Sequence, residues 1–256
     1  MDEIEHKPDD VATLAAIGSL AYACADIAHH ALGHAAACLG LGGRIDSLTS
    51  IHVACTLTGE HVDVAGPMAN LAVGLVCWRA ARALVDHPWP RLRLFLILAA
   101  AFNLFWLEAQ LVFSAATRQD DWELVLQALH PTGAWRIGAM IGGAGAYLLT
   151  VMVVARLLRP FGDWVRRIGV VAYLTAGATA CLTALPDPGG WSAILRHAAP
   201  QSFGTAFGLL VQGRARSSAT EANPGLAIRF SLGWVIGAVV VLVLSIALLG
   251  RGVQVP

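Results

Sequence analysis

Six stretches of the chain are apolar for long enough to form helices that cross a lipid bilayer, and polar or glycine-rich segments separate them. They run near 12–40, 63–85, 92–116, 135–158, 168–185 and 227–250. About 20 helical residues cross the roughly 30 Å hydrocarbon core. The last stretch, Phe230 to Leu249, is a nearly unbroken run of Val, Leu, Ile and Ala. Polar residues or glycines interrupt the first, third and fourth, which predicts that these face protein rather than lipid. In the fourth, Gly138, Gly142 and Gly145 make a small-residue face suited to close helix packing. Between Gly40 and Asp63, alternating Ile51, Val53 and Leu57, then Val62 and Val64, are compatible with short strands.

The predicted fold is all-α: a polytopic membrane protein of about six transmembrane helices, with a short loop or β-hairpin between helices 1 and 2. An N-terminal tail, 1–11, precedes a membrane core of helices 1–3 over 12–122. Residues 123–256 supply helices 4–6 and a long loop at 186–226. Within that loop Ile194 to Val211 is moderately apolar and reads as an interfacial or re-entrant helix.

Composition sharpens this picture. Of 256 residues 57% are hydrophobic and 13% charged, where an ordinary soluble domain carries about 25% charged residues. A lipid-facing surface accounts for the deficit. Formal net charge is zero, which gives a nucleic-acid partner no electrostatic support. Arg79, Arg82, Arg91 and Arg93 flank the second loop, and Arg156, Arg159, Arg166 and Arg167 the fourth. With six spans, this bias predicts that both termini are cytoplasmic, in a bacterial inner (plasma) membrane.

Residues 1–10 are mostly acidic, with Lys7 the only basic residue. They lack the basic region of a signal peptide, so the first helix is expected to stay in the mature protein. The five cysteines form no Cys-x-x-Cys pair and read as small buried hydrophobes rather than disulfides or zinc thiolates. Several of the eight tryptophans (Trp89, Trp122, Trp135, Trp164, Trp191) lie near predicted span ends, as in interfacial belts.

The chemistry lies in the first apolar stretch, where Asp26, His29, His30 and His34 occur within nine residues. Ionisable groups inside a membrane are costly and usually functional. On an α-helix, residues four apart sit about 40° from each other, so His30 and His34 share a face and can reach one ion. Asp26, one turn earlier, is placed to orient the His30 ring or to ligate as well. His29 is rotated about 100° from His30 and is the weaker ligand. A metal site, a structural polar network and a proton pathway all fit this cluster.

The segment His30-Ala31-Leu32-Gly33-His34-Ala35 resembles the His-Glu-Leu-Gly-His-Ala helix of the site-2 protease family of intramembrane zinc metalloproteases. Ala65-Gly66-Pro67-Met68-Ala69-Asn70 resembles that family's Gly-Pro-x-x-Asn element in the following helix. The resemblance covers residues 14–122. It implies a zinc ion held by His30 and His34 and a substrate that is a membrane-embedded peptide or protein. Gly66, Pro67 and Asn70 would bind that substrate, and Asn70 would face its backbone or an oxyanion. The family's third element carries an Asn and then a ligand Asp. Here the polar streak of Asn103, Glu108 and Gln110 leads to Asp120-Asp121-Trp122, so the resemblance implies Asp121 or Asp120 as third ligand. The compact Asn-Pro-Asp-Gly arrangement is absent.

The family's catalytic glutamate follows the first histidine directly, and Ala31 stands in that place. Alanine transfers no proton, and metal-assisted hydrolysis needs a group that does. Glu108, a carboxylate inside the third span, is the candidate surrogate base. Starting the motif at His29 puts His30 next and the second histidine five residues away, outside the α-helical spacing. His52 and Glu60-His61-Val62-Asp63 offer further ligands in the first loop and read as solvent-exposed. Three functions follow: a site-2 protease-like zinc metallopeptidase, inactive without a base; a non-catalytic metal- or substrate-binding membrane protein; or a proton-coupled transporter using Asp26, His30, His34 and Glu108.

Overall fold

The structure is a computed structural model and describes residues 10–57, 59–128, 133–212 and 226–255. Helix α1, Val11–Gly40, starts at Asp10, whose carboxylate accepts from the Thr13 amide at 2.7 Å. It leads into strands β1 (Ile45–Leu48) and β2 (Val53–Cys55). Helices α2 (Glu60–Ala83) and α3 (Pro90–Thr117) follow, the latter with Pro90 in its first turn, where a missing amide costs nothing. Short α4 (Asp121–Ala128) precedes α5 (Gly133–Leu158) and α6 (Val165–Ala184), which are divided by a kink at Gly162 with φ 61°. A broken helix fills 190–211 before α7 (Leu232–Leu249) and strand β3 (Val253–Val255).

Among the described residues, five helical stretches are long and apolar enough to cross a membrane: α1, α2, α3, α5 together with α6, and α7. Burial orders them. The most apolar windows of α1 and α3 are 61% buried and form the centre, whereas that of α7 is 6% buried and turns its Val and Leu side chains outward. Ile17, Leu94, Ile97, Leu98, Phe105 and Trp106 make the middle of the core.

The bundle has two unlike ends. At one, Asp10 donates its amide to Ile228, and Arg91 at the start of α3 bonds Arg229 and Phe230 carbonyls. At the other lie the strands, α4 and the turn near Asp187. The 190–211 segment runs between them. Gln201 reaches Ile51 near the strands, while the Leu209 carbonyl lies against Gly169 near the start of α6. The segment expected as an interfacial or re-entrant helix is thus an additional end-to-end passage. Arg196, His197, Gln201, Pro200, Gly204 and Gly208 lower its hydropathy, and its π and 3₁₀ turns break the helix. One extra passage places the two ends of the described chain at opposite ends of the bundle, correcting the expectation that they share a side.

Three further expectations change. The sheet has order β2-β1-β3, the third strand coming from beyond α7, and Val62 and Val64 belong to α2 rather than to a strand. Cys38 and Cys55 form a disulfide that ties the end of α1 to β2, while Cys24, Cys77 and Cys181 are free. Gly138, Gly142 and Gly145 meet open space. The packed glycine of α5 is Gly143, where a Cβ would lie 3.1 Å from the Glu108 carbonyl of α3.

Candidate metal centre

The middle of α1 departs from α-helical pairing. Ala28–Ala35 is a π-helical turn, in which each amide reaches five residues back rather than four. That one-residue change decides which histidines converge. His29 and His34 meet edge to face across the turn, with ring centroids 4.7 Å apart and their Nε2 atoms 3.1 Å apart. Asp121 Oδ2 lies 2.9 Å from His29 Nε2 and 3.1 Å from His34 Nε2. The three donor atoms sit within 4.8 Å of one another and can hold a metal ion. The histidines whose donor atoms converge with Asp121 are therefore His29 and His34, where His30 and His34 were expected. His30 instead turns toward Asp26, with Nδ1 3.1 Å from Oδ1.

The surrounding contacts fix the ligand rings. Asn70 Nδ2 donates to the Ala25 carbonyl at 3.2 Å and to Asn103 Oδ1 at 2.9 Å, so its Oδ1 is the acceptor facing His29 Nδ1 at 2.6 Å. Asn103 Nδ2 in turn donates to Ala99 at 2.8 Å. His34 Nδ1 faces the Val62 carbonyl at 2.8 Å. Each Nδ1 therefore carries its ring's proton, and both Nε2 atoms present lone pairs. Two lone pairs and a carboxylate oxygen converge with no donor of their own between them. That donor set fits a divalent transition-metal cation.

Asp121 is delivered by the turn after α3. Arg118 and Asp120 both adopt positive φ, 59° and 74°, and fold the chain back over α1. Gln110 Nε2 donates to Asp121 Oδ2 at 2.7 Å. Burial raises the Asp121 carboxyl, but when no cation is held and the His29 and His34 rings carry a proton at Nε2, their hydrogen bonds outweigh burial and hold it well below the usual carboxylate range. Asp120 beside it is pushed up, by burial and then by the Asp121 charge. Trp106 stacks on His29 with centroids 4.7 Å apart and closes the inner wall.

The glycines of the two sequence elements meet here. A Cβ on Gly33 would lie 2.4 Å from the Gly66 Cα, and one on Gly66 would lie 2.4 Å from His34 Nε2. Gly66 and Asn70 thus seat α2 against the ligand helix. Asn70 is fully buried and does not line the cavity, and neither does Pro67. Glu108 is also absent from the cavity wall. It points to α5, where Thr150 Oγ1 donates to it at 2.6 Å. Ala31 lies off the cavity as well.

A cavity of about 690 Å³ opens over the three donors. His30, His52, Asp63 and Asp120 line it, with Asp187, Ser192, Arg196 and His197 on the far wall. His52 and Asp63 line the cavity mouth; His52 is also exposed, as expected, like Glu60 and His61, whereas Asp63 is half-buried. The far wall gave no sequence signal, because nothing in residues 187–197 has metal or catalytic spacing. Compared with known proteins, the chain matches no family model, no curated protein and no solved structure.

Proposed function

We propose that the protein is a membrane-embedded zinc metallopeptidase of the site-2 protease type, with His29, His34 and Asp121 as the metal ligands. The observation that carries this reading is the convergence of three buried acceptor atoms at the base of a cavity. Three protein ligands leave the fourth position that a catalytic zinc keeps for water or substrate, whereas structural zinc sites are usually closed by four. A bound zinc supplies a polarised scissile carbonyl and a water whose pKa is lowered to about 7.

The chain's own residues supply the rest. With His29 as first ligand, the residue in the glutamate's place is His30, not Ala31. Asp26 holds His30 Nδ1, which leaves Nε2 to take a proton from a cavity water and return it to the departing amine. Gln110 steadies Asp121, and Asn70 and Val62 hold the ligand tautomers. Trp106 excludes water from the inner side of the site.

The test is metal content together with cleavage. Purified protein in liposomes is expected to hold near one zinc per protomer and to cleave a co-reconstituted membrane-spanning peptide reporter. His34→Ala should lose both. His30→Gln should keep the zinc and lose cleavage. Zinc without cleavage in the unaltered protein would favour a metal-binding role, and no zinc would overturn the proposal.

A further inference from the structure

We infer that the metal cavity opens on the non-cytoplasmic face of the membrane and receives peptide segments presented from that side. The substrate part of this inference rests on the metallopeptidase reading above; the orientation does not.

Two independent features place the cavity. The first is charge. Arg79, Arg82, Arg91 and Arg93 surround the α2–α3 turn, and Arg156, Arg159, Arg166 and Arg167 surround the α5–α6 turn. Both turns lie at the end of the bundle that holds Asp10 and Ile228. The cavity end is poorer in cations: it has Arg44, Arg118, Arg136, Arg196 and Arg251. Arg136 is held by Glu123 at 2.8 Å, and in the cavity Arg196 faces Asp63, Asp120, Asp121 and Asp187. Arginine-rich short turns stay in the cytoplasm, so the cavity end faces away from it.

The second feature is the Cys38–Cys55 disulfide, which lies at the cavity end. It joins the helix turn just beyond His34 to the strand beside Val53, a residue of the cavity wall. Disulfides persist in oxidising compartments and are rare in the cytosol. Cys24 and Cys77, which lie within α1 and α2, are free. Charge and redox chemistry have no common cause, and both point the same way.

Full-length protein in intact bacterial cells tests this. Asp46→Cys lies on exposed β1 at the cavity end, and Asp86→Cys on the exposed α2–α3 turn. With a membrane-impermeant maleimide, Asp46→Cys should label in intact cells and Asp86→Cys only after permeabilisation. The reverse pattern would overturn the inference. Because a new cysteine can disturb the native pair, the unaltered protein supplies a second readout. Acid-trapped from cells and blocked, it should release two further thiols on reduction, and Cys38→Ser should abolish that gain. Cys38 and Cys55 found reduced in cells would also overturn it. Zinc content measured on the same preparations separates the two failures: reversed labelling with zinc retained removes the orientation and leaves the metal site.

Discussion

His29 and His34 bring their Nε2 atoms to 3.1 Å although five residues separate them, because the turn between them is π-helical. This geometry predicts a ligand assignment that α-helical spacing does not. His29→Ala and His34→Ala should each lose the metal, while His30→Ala should retain near one ion per protomer. Elemental mass spectrometry on detergent-purified protein decides it. Loss of metal in His30→Ala with retention in His29→Ala would restore the i, i+4 pair.

A π turn is one residue inserted into an α-helix, so removal of Ala31 should leave a regular helix with His29 and His34 four apart. Such spacing still places both rings on one face. The shortened protein should bind metal, with affinity within about tenfold of the original, whereas an added alanine at the same place should abolish binding. Competition with a zinc-sensitive chelating dye measures both.

Much of the architecture was legible in the hydropathy pattern, since a 20-residue apolar run has few alternatives to a span. The candidate donor set was legible only in part. Asp26, the histidines and Asp121 stood out as polar residues in or beside apolar runs. The exchange of His30 for His29, however, turns on one backbone hydrogen-bond register that leaves composition unchanged. The Cys38–Cys55 link was hidden because each cysteine lies in an ordinary apolar setting, and the pairing depends on where β2 folds back. The 190–211 passage read only as an interfacial or re-entrant helix because of its polar residues, glycines and Pro200, which its packing against α6 accommodates.

Asn70 fixes the His29 tautomer without touching the cavity. Loss of such a supporting hydrogen bond typically costs 10–100-fold in metal affinity. Asn70→Ala should therefore weaken zinc binding by about that factor. Asn70→Asp still accepts from Nδ1 and should weaken it less, although it no longer donates to Ala25 and Asn103. Equal, mild effects from both would mean that Asn70 serves only helix packing.

Gly66 leaves no room for a side chain, since a Cβ would fall 2.4 Å from His34 Nε2. Gly66→Ala must push α2 off α1 or turn the ligand ring. Overpacking of this kind costs about 1–3 kcal/mol, and the displaced ring should lose the metal. Gly138→Ala, which meets open space, should keep the metal and gain up to about 1 kcal/mol of helix propensity. Thermal unfolding with and without a chelator reads both: the chelator should lower the midpoint of Gly138→Ala and leave that of Gly66→Ala unmoved.

Arg118 holds a left-handed conformation, φ 59° and ψ 41°, at the end of α3. An L side chain there costs about 1–2 kcal/mol. Glycine adopts it without that cost but gives up about 0.5–1 kcal/mol through its freer unfolded chain. The balance predicts that Arg118→Gly stabilises the protein by about 0.5–1 kcal/mol, and that Arg118→Ala brings no comparable gain. Metal content should be unchanged in both, because the turn that delivers Asp121 keeps its shape. A fall in stability with Arg118→Gly would mean that the arginine side chain, rather than the backbone turn alone, holds Asp121 over the histidines.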